Sequence, residues 1–149
     1  MYKIDFNKPC RIYFIGIGGI SMSGFAEYLH NIGFKVSGSD KQKSKITEHL
    51  SSLGIDVQYG QRRANITPDI KFVVYTAAIA KDNEEFMEVQ RQGIPLLNRS
   101  ELIGQLMTNF NNAIAVSGTH GKTTTTSMLS QIFIDANLDP TISEIGRAS

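Results

Sequence analysis

Tryptophan is absent from this 149-residue chain, cysteine occurs once and proline four times. The lone thiol, Cys10, cannot close an internal disulfide, which fits a reducing cytoplasm. With no cysteine cluster, a structural zinc site has nothing to build on. An excess of one charge is missing too: 15 Lys and Arg stand against 14 Asp and Glu, a formal net charge of +1. Bulk charge therefore points to neither a nucleic-acid nor a membrane partner. The first ten residues, MYKIDFNKPC, alternate polar and apolar and hold no run of signal-peptide length. No stretch elsewhere is apolar for long enough to span a bilayer. What remains is the composition of a soluble, cytoplasmic globular protein, 41% hydrophobic and 19% charged, with enough apolar material for a sizeable core.

Short β-rich runs alternate with helical patterns, and glycines stand between them. RIYFI (11–15), FKVSG (34–38), IDVQY (55–59), IKFVVYT (70–76) and IPLL (94–97) read as strands. Residues 20–32 read as a helix with Met22, Phe25, Ala26 and Leu29 on one face and Gly33 as its stop. A second helix carries Ile46, Leu50 and Leu53 and closes at Gly54. In a third, over 82–93, Asp82 and Glu85 have capping-box spacing and Gly93 is the stop. A fourth spans 100–109, and the polar stretch NFNNA (109–113) marks a boundary. Beyond it, AIAVS (113–117) predicts a sixth strand, and 122–136 a helix with Met128, Leu129, Ile132 and Phe133 buried. Strand alternating with helix predicts a mostly parallel sheet whose ligands bind beyond the carboxyl ends of the strands.

The first such end is GIGGIS (16–21). Small residues between a strand and a helix let the backbone approach a diphosphate, and the helix N-terminus offers N–H donors. Gly16 and Gly18 fit the dinucleotide fingerprint G-x-G-x-x-G, but Ser21 holds the sixth position. Asp40 stands where an acid would accept a bond from a ribose hydroxyl. The bland readings are a tight turn without a ligand, and for Asp40 a solvated turn residue or N-cap. NAD, FAD and a nucleotide-sugar all present a diphosphate, so the loop alone leaves the ligand open.

GTHGKTT (118–124) is the stronger signal, because it follows an apolar strand pattern and opens a helical one. Consecutive N–H groups from Gly118, Thr119, His120, Gly121, Lys122 and Thr123 would wrap a β-phosphate of ATP. Lys122 would place its charge on the β/γ-phosphates, and the hydroxyl of Thr123 would be a ligand for Mg²⁺. The loop is shorter than the standard P-loop, since Val116 stands where the first glycine belongs. The competing reading is a glycine turn before a Thr-rich helix, but four consecutive threonines are poor helix formers. His120 reads as a local orienting group.

GIGGISMSGFAEYL, VSGSD, TAAIAKDNEE, NRSELIGQLM and VSGTHGKTTTTSML follow one another in that order. Together they resemble the Mur ligases of peptidoglycan synthesis, over residues 11 to about 142. Within that family the pattern is nearest to members that join L-alanine to UDP-N-acetylmuramate; peptide-recycling members share GTHGKTT. The resemblance implies a Rossmann-like UDP-sugar-binding domain over residues 1–110. Residues 111–149 would then be the opening strand, P-loop and helix of an ATP-binding central domain. It implies that Gly16, Gly18, Gly19, Ile20 and Ser21 meet the UDP diphosphate, with Ser39 and Asp40 near the uridine or its ribose. Thr76, Ala77, Ala78 and Ile79 replace the family's usual S-S-A-I, so Ala77 lacks a hydroxyl, and Gln61 stands where a histidine is common. Asn83, Glu84 and Arg99 match family positions and serve equally well as caps and surface pairs.

The activity implied is an ATP- and Mg²⁺-dependent carboxylate–amine ligation, with Gly118 to Thr124 holding ATP and Lys122 and Thr123 catalytic. UDP-N-acetylmuramate, ATP and L-alanine would be the partners, without nucleic acid or membrane. The ending SEIGRAS departs from the family's glycine pair, and the chain reads as an N-terminal portion that is inactive alone. Its cut central domain would pack against the first domain, pair with a second copy or fray. Two other readings stand beside this one: a nicotinamide-binding oxidoreductase domain using Asp40, and a non-catalytic UDP-sugar sensor.

Overall fold

A computed structural model of the chain describes residues 1–142; the ending SEIGRAS lies outside the described residues. It divides into two compact units, Met1–Phe110 and Asn111–Ser149.

In the first unit, β1 (Arg11–Ile15), β2 (Lys35–Asp40), β3 (Asp56–Tyr59), β4 (Phe72–Tyr75) and β5 (Leu96–Asn98) form one sheet in the order β3-β2-β1-β4-β5. Every pairing is parallel, as the strand–helix alternation predicts. β1 is central, and its register sets Tyr13 beside Ser37 on one neighbour and Val73 on the other. Parallel sheets are covered on both faces, which explains why RIYFI and FVVY are nearly continuous apolar runs.

Over one face lie α1 (Ile20–Asn31), α2 (Lys45–Ser52) and α4 (Arg99–Thr108). Met22, Phe25, Ala26 and Leu29 of α1 pack with Ile12, Phe14, Val36, Phe72 and Val74, joined by Leu50, Leu102 and Leu106. The N-terminal segment completes this layer, with Tyr2, Ile4, Phe6 and half-buried Cys10 against the same cluster. Gln105 of α4 clasps it: its carbonyl oxygen accepts from the Ile4 N–H at 2.7 Å, and its amide donates to the Tyr2 carbonyl at 2.8 Å. On the other face, α3 (Glu84–Gln92) and a 3-10 turn (Arg63–Asn65) cover Tyr13, Ile15 and Val73 with Ile66, Ile70 and Val89.

One expected cap is corrected. α3 starts from Asn83, whose side chain accepts from the Glu85 and Phe86 N–H groups. Glu85 does not reach back to cap; it turns into the core, because it shares the inner helical face with Val89. A capping box forms instead at α4, between Asn98 and Glu101, and another at α2, between Ser44 and Thr47.

The second unit holds α5 (Lys122–Asp135). Residues 113–117 are not a strand: a strand is defined by its ladder, and no described segment pairs with this one. Nor has α5 a buried face. Met128 and Ile132 are 64% and 61% exposed, because nothing described covers them.

Candidate functional site

The strand order reverses between β1 and β4, and the loops leaving these two strands diverge there. This is the place where open α/β sheets bind ligands. The glycine loop leaves β1 at Gly16, whose φ of +80° suits a residue without a side chain. The N–H groups of Gly16 and Ile17 both donate to the Ser39 carbonyl at 2.9 Å, tying the loop to the end of β2. Ile17 is buried and anchors the loop in the core, Gly18 is half-buried and Gly19 is exposed. α1 then opens at Gly19 with no side-chain cap and no acid in its first turn. An uncapped helix start offers N–H donors and a positive dipole end to an anion.

Gly18 shows why the loop needs small residues. Its N–H donates to Asp40 Oδ2 at 2.8 Å. A Cβ on Gly18 would lie 2.6 Å from that oxygen and 2.8 Å from Thr47 Cγ2. Asp40 therefore shapes the loop first. Its other oxygen accepts from the Gln42 N–H, and a carboxylate has capacity left for further donors.

Of the sequence-selected residues, Gly16, Gly18, Gly19, Ile20, Ser21 and Asp40 come together at the carboxyl edge of the sheet. Thr76, Ala77 and Ala78 form the turn after β4, closed by the Ile79 N–H on the Thr76 carbonyl at 3.1 Å. Ile79 reaches within 3.7 Å of where a Gly16 Cβ would stand, so this turn and the glycine loop are neighbours. Ser39 differs from the rest of the set. Its side chain is fully buried and its hydroxyl donates to Glu85 Oε2 at 2.5 Å, so it faces the interior rather than the loop surface.

Glu85, read from the sequence as part of a capping box, is instead a buried hydrogen-bonding centre. It is fully buried. Besides Ser39, Tyr13 Oη and Asn65 Nδ2 donate to its Oε1 at 2.7 and 2.6 Å. Desolvation raises its pKa above the ordinary carboxylate value, while these donors pull the other way. The same burial, with Glu85 beside it, raises the Tyr13 phenol. The available signal was helical spacing: Glu85 falls four residues before Val89, on the face turned to the sheet.

In the second unit Gly118, Thr119, His120 and Gly121 form the loop into α5, and Lys122, Thr123 and Thr124 begin the helix. Gly121 is its N-cap at φ +75°, with no side-chain cap. Lys122 Nζ donates to the Gly118 carbonyl at 2.7 Å, folding the cation over its own loop. The uncapped N-terminus, the lysine and the Thr123 hydroxyl suit a phosphate chain. One hydroxyl is a small part of the oxygen shell that Mg²⁺ takes, and phosphate oxygens and water supply much of the rest in such sites. Among the described residues no three His, Cys, Asp or Glu side chains gather as a metal site.

An all-parallel sheet with an uncapped glycine loop at its reversal point defines a Rossmann-like domain. The chain belongs to the Mur ligase family: residues 11–111 match "Mur ligase family, catalytic domain". It is 59% identical over 143 residues to UDP-N-acetylmuramate–L-alanine ligase of Lachnoclostridium phytofermentans, covering 96% of this chain and 30% of that one. Against the same ligase of Clostridium kluyveri it is 58% identical, covering 94% and 31%. The crystal structure of UDP-N-acetylmuramate-alanine ligase MurC from Thermotoga maritima superposes with a TM-score of 0.79 at 32% identity, covering 86% of this chain and 30% of that one. UDP-N-acetylmuramate:L-alanyl-gamma-D-glutamyl-meso-diaminopimelate ligase from Neisseria meningitides gives 0.80 at 30% identity, covering 89% and 42%. The chain thus spans about 30% of the length of the curated relatives it matches. Among the described residues no helix is long and apolar enough to cross a membrane.

Proposed function

We propose that Met1–Phe110 is the UDP-N-acetylmuramate-binding domain of a UDP-N-acetylmuramate–L-alanine ligase acting in the cytoplasm. Residues 111–149 would be the start of its ATP-binding domain. The observation that carries this is the glycine loop at the sheet's reversal point, with Gly18 held against Asp40 so that only backbone faces a diphosphate. The identity to L-alanine ligases over nearly the whole chain favours this ligand over a nicotinamide. The 58–59% identity to curated L-alanine ligases favours them over the peptide ligases, two solved examples of which are 30% and 28% identical.

In this reading Gly16, Gly18, Gly19, Ile20 and Ser21 hold the diphosphate, Asp40 takes a ribose hydroxyl, and Thr76 to Ala78 border the sugar. A carboxylate acylates poorly, because its charge repels nucleophiles and its oxygen leaves badly. ATP would supply the γ-phosphoryl group that turns the sugar's carboxylate into an acyl phosphate, leaving ADP, and the amine of L-alanine would then displace inorganic phosphate to form the amide. The N–H groups of Gly118 to Thr123 would orient the phosphates. Lys122 would leave the Gly118 carbonyl to stabilise the charge on the transferring group, and Thr123 would give its hydroxyl to Mg²⁺.

This chain alone is proposed to bind the sugar nucleotide without turning it over. Its exposed α5 would associate with the rest of a ligase or with a second copy. The test is ADP release with UDP-N-acetylmuramate, L-alanine, ATP and Mg²⁺ all present. Release at the level of the blank lacking L-alanine is expected. Release dependent on both the sugar nucleotide and L-alanine would contradict the proposal.

A further inference from the structure

Glu85 is a buried carboxylate to which, among the described residues, no cationic side chain is bonded. Burying such a group is costly unless donors satisfy it, and an apolar side chain would often serve a core as well. Three neutral side chains donate to it, from three different elements, Tyr13 of β1, Ser39 of β2 and Asn65 of the 3-10 turn, and the Arg62 backbone N–H donates as well.

From these donors two chains of bonds run to the glycine loop. The first is short. Ser39 donates its hydroxyl to Glu85 and accepts the Gly16 and Ile17 N–H groups on its carbonyl. The second goes round the edge of the sheet. Asn65 Nδ2, which donates to Glu85, also donates to the Gly60 carbonyl at 2.9 Å. The Gly60 N–H donates to the Asp40 carbonyl at 2.9 Å, and Asp40 Oδ2 accepts the Gly18 N–H. Both ends of Gly16–Gly18 therefore return to the Glu85 carboxylate, one through Ser39 and the other through Asn65, Gly60 and Asp40.

We propose that Glu85 is a positioning residue for the diphosphate loop, holding the ends of β1 and β2 and the turn after β3 in one frame that sets the loop's N–H groups. It touches no ligand; it acts through Ser39 and Asn65. An ionised carboxylate only accepts, so all three donors point inward at once. A glutamine in its place has a donor end, which must turn one of them away. The inference rests on the sugar-nucleotide reading of the site.

The test uses the whole chain, Glu85→Gln, and Asn65→Ala as a second variant that cuts only the longer path. Calorimetry compares UDP with uridine, which lacks the diphosphate. Amide exchange follows Gly16, Ile17 and Gly18 against Val73 and Val74 of the central strands. A positioning role predicts that Glu85→Gln weakens UDP by about tenfold while uridine changes less than about twofold. It also predicts that the loop amides exchange about tenfold faster, with Val73 and Val74 unchanged. Asn65→Ala should shift the same readouts in the same direction by less, and it decides the matter if Glu85→Gln does not fold. Equal losses for UDP and uridine, or faster exchange throughout the sheet, would reduce Glu85 to a core cross-link and overturn the proposal. If the native chain binds no UDP, the sugar-nucleotide reading falls, and loop exchange alone decides whether Glu85 holds the loop.

Discussion

Gly18 carries the sharpest steric demand in the site. Its missing Cβ leaves room for Asp40 Oδ2 and Thr47 Cγ2, both nearer than any side chain could tolerate. Gly18→Ala should push the Asp40 carboxylate off the loop. We expect UDP affinity to fall about tenfold or more, with about 1–3 kcal/mol of stability lost to overpacking. Calorimetry and a urea unfolding midpoint measure the two separately. A smaller effect is expected at Asn83, which caps α3 through two N–H groups. Asn83→Ala should cost about 1 kcal/mol in denaturant unfolding and leave ligand affinity alone. At this scale the sequence was legible where chemistry follows from residue type and spacing: glycines, the strand-end acid, the lysine of the second loop. It was not legible for Ser39 and Glu85. Both are polar types that usually stay outside, and their partners lie 46 residues apart in the chain. No local pattern announces that pairing.

Among the elements, α3 puts two buried glutamates one turn apart, Glu85 among neutral donors and Glu88 against arginines. Burial raises the pKa of Glu85 from its ordinary 4.5. Glu88 accepts from Arg91, then from Gln92, and these bonds hold its pKa down at about 2. The two couple to folding with opposite signs. Glu88, depressed, stabilises the fold above 4.5, and that contribution is lost as pH falls from 4.5 through about 2. Glu85, raised, contributes stability that is complete below 4.5 and lost as pH climbs through its higher folded value. Urea unfolding as a function of pH checks both. Glu88→Gln should flatten the acid limb, and Glu85→Gln should flatten the fall just above it. The same slopes in both variants would contradict the assignment. Most elements were readable from period and punctuation, since strands buried on both faces are apolar runs and glycines end the helices. AIAVS was not, because its apolar alternation says what it could pair with and not whether a partner is there. The face expected on α5 failed for a like reason: periodicity marks a stripe, and only another element buries it.

Taken whole, the molecule is two units of unequal character. Met1–Phe110 has a five-stranded sheet covered on both faces, and it holds every residue proposed for the sugar nucleotide. Asn111–Ser149 holds the proposed ATP loop on a helix with no buried residue. A chain ended after Phe110 should therefore keep its unfolding midpoint and its UDP affinity. Amides of Lys122–Asp135 should exchange far faster than those of β1 and β4. Loss of cooperative unfolding in the shortened chain would mean that the first unit depends on the second.

The central claim is that the glycine loop at the sheet's reversal point holds a UDP-sugar. Calorimetric titration of the whole chain with UDP-N-acetylmuramate, and in parallel with NAD, tests it most directly. Saturable binding of the sugar nucleotide, no heat from NAD, and loss of binding in Gly18→Ala are the expected results. Binding of NAD in place of the sugar nucleotide would contradict the account.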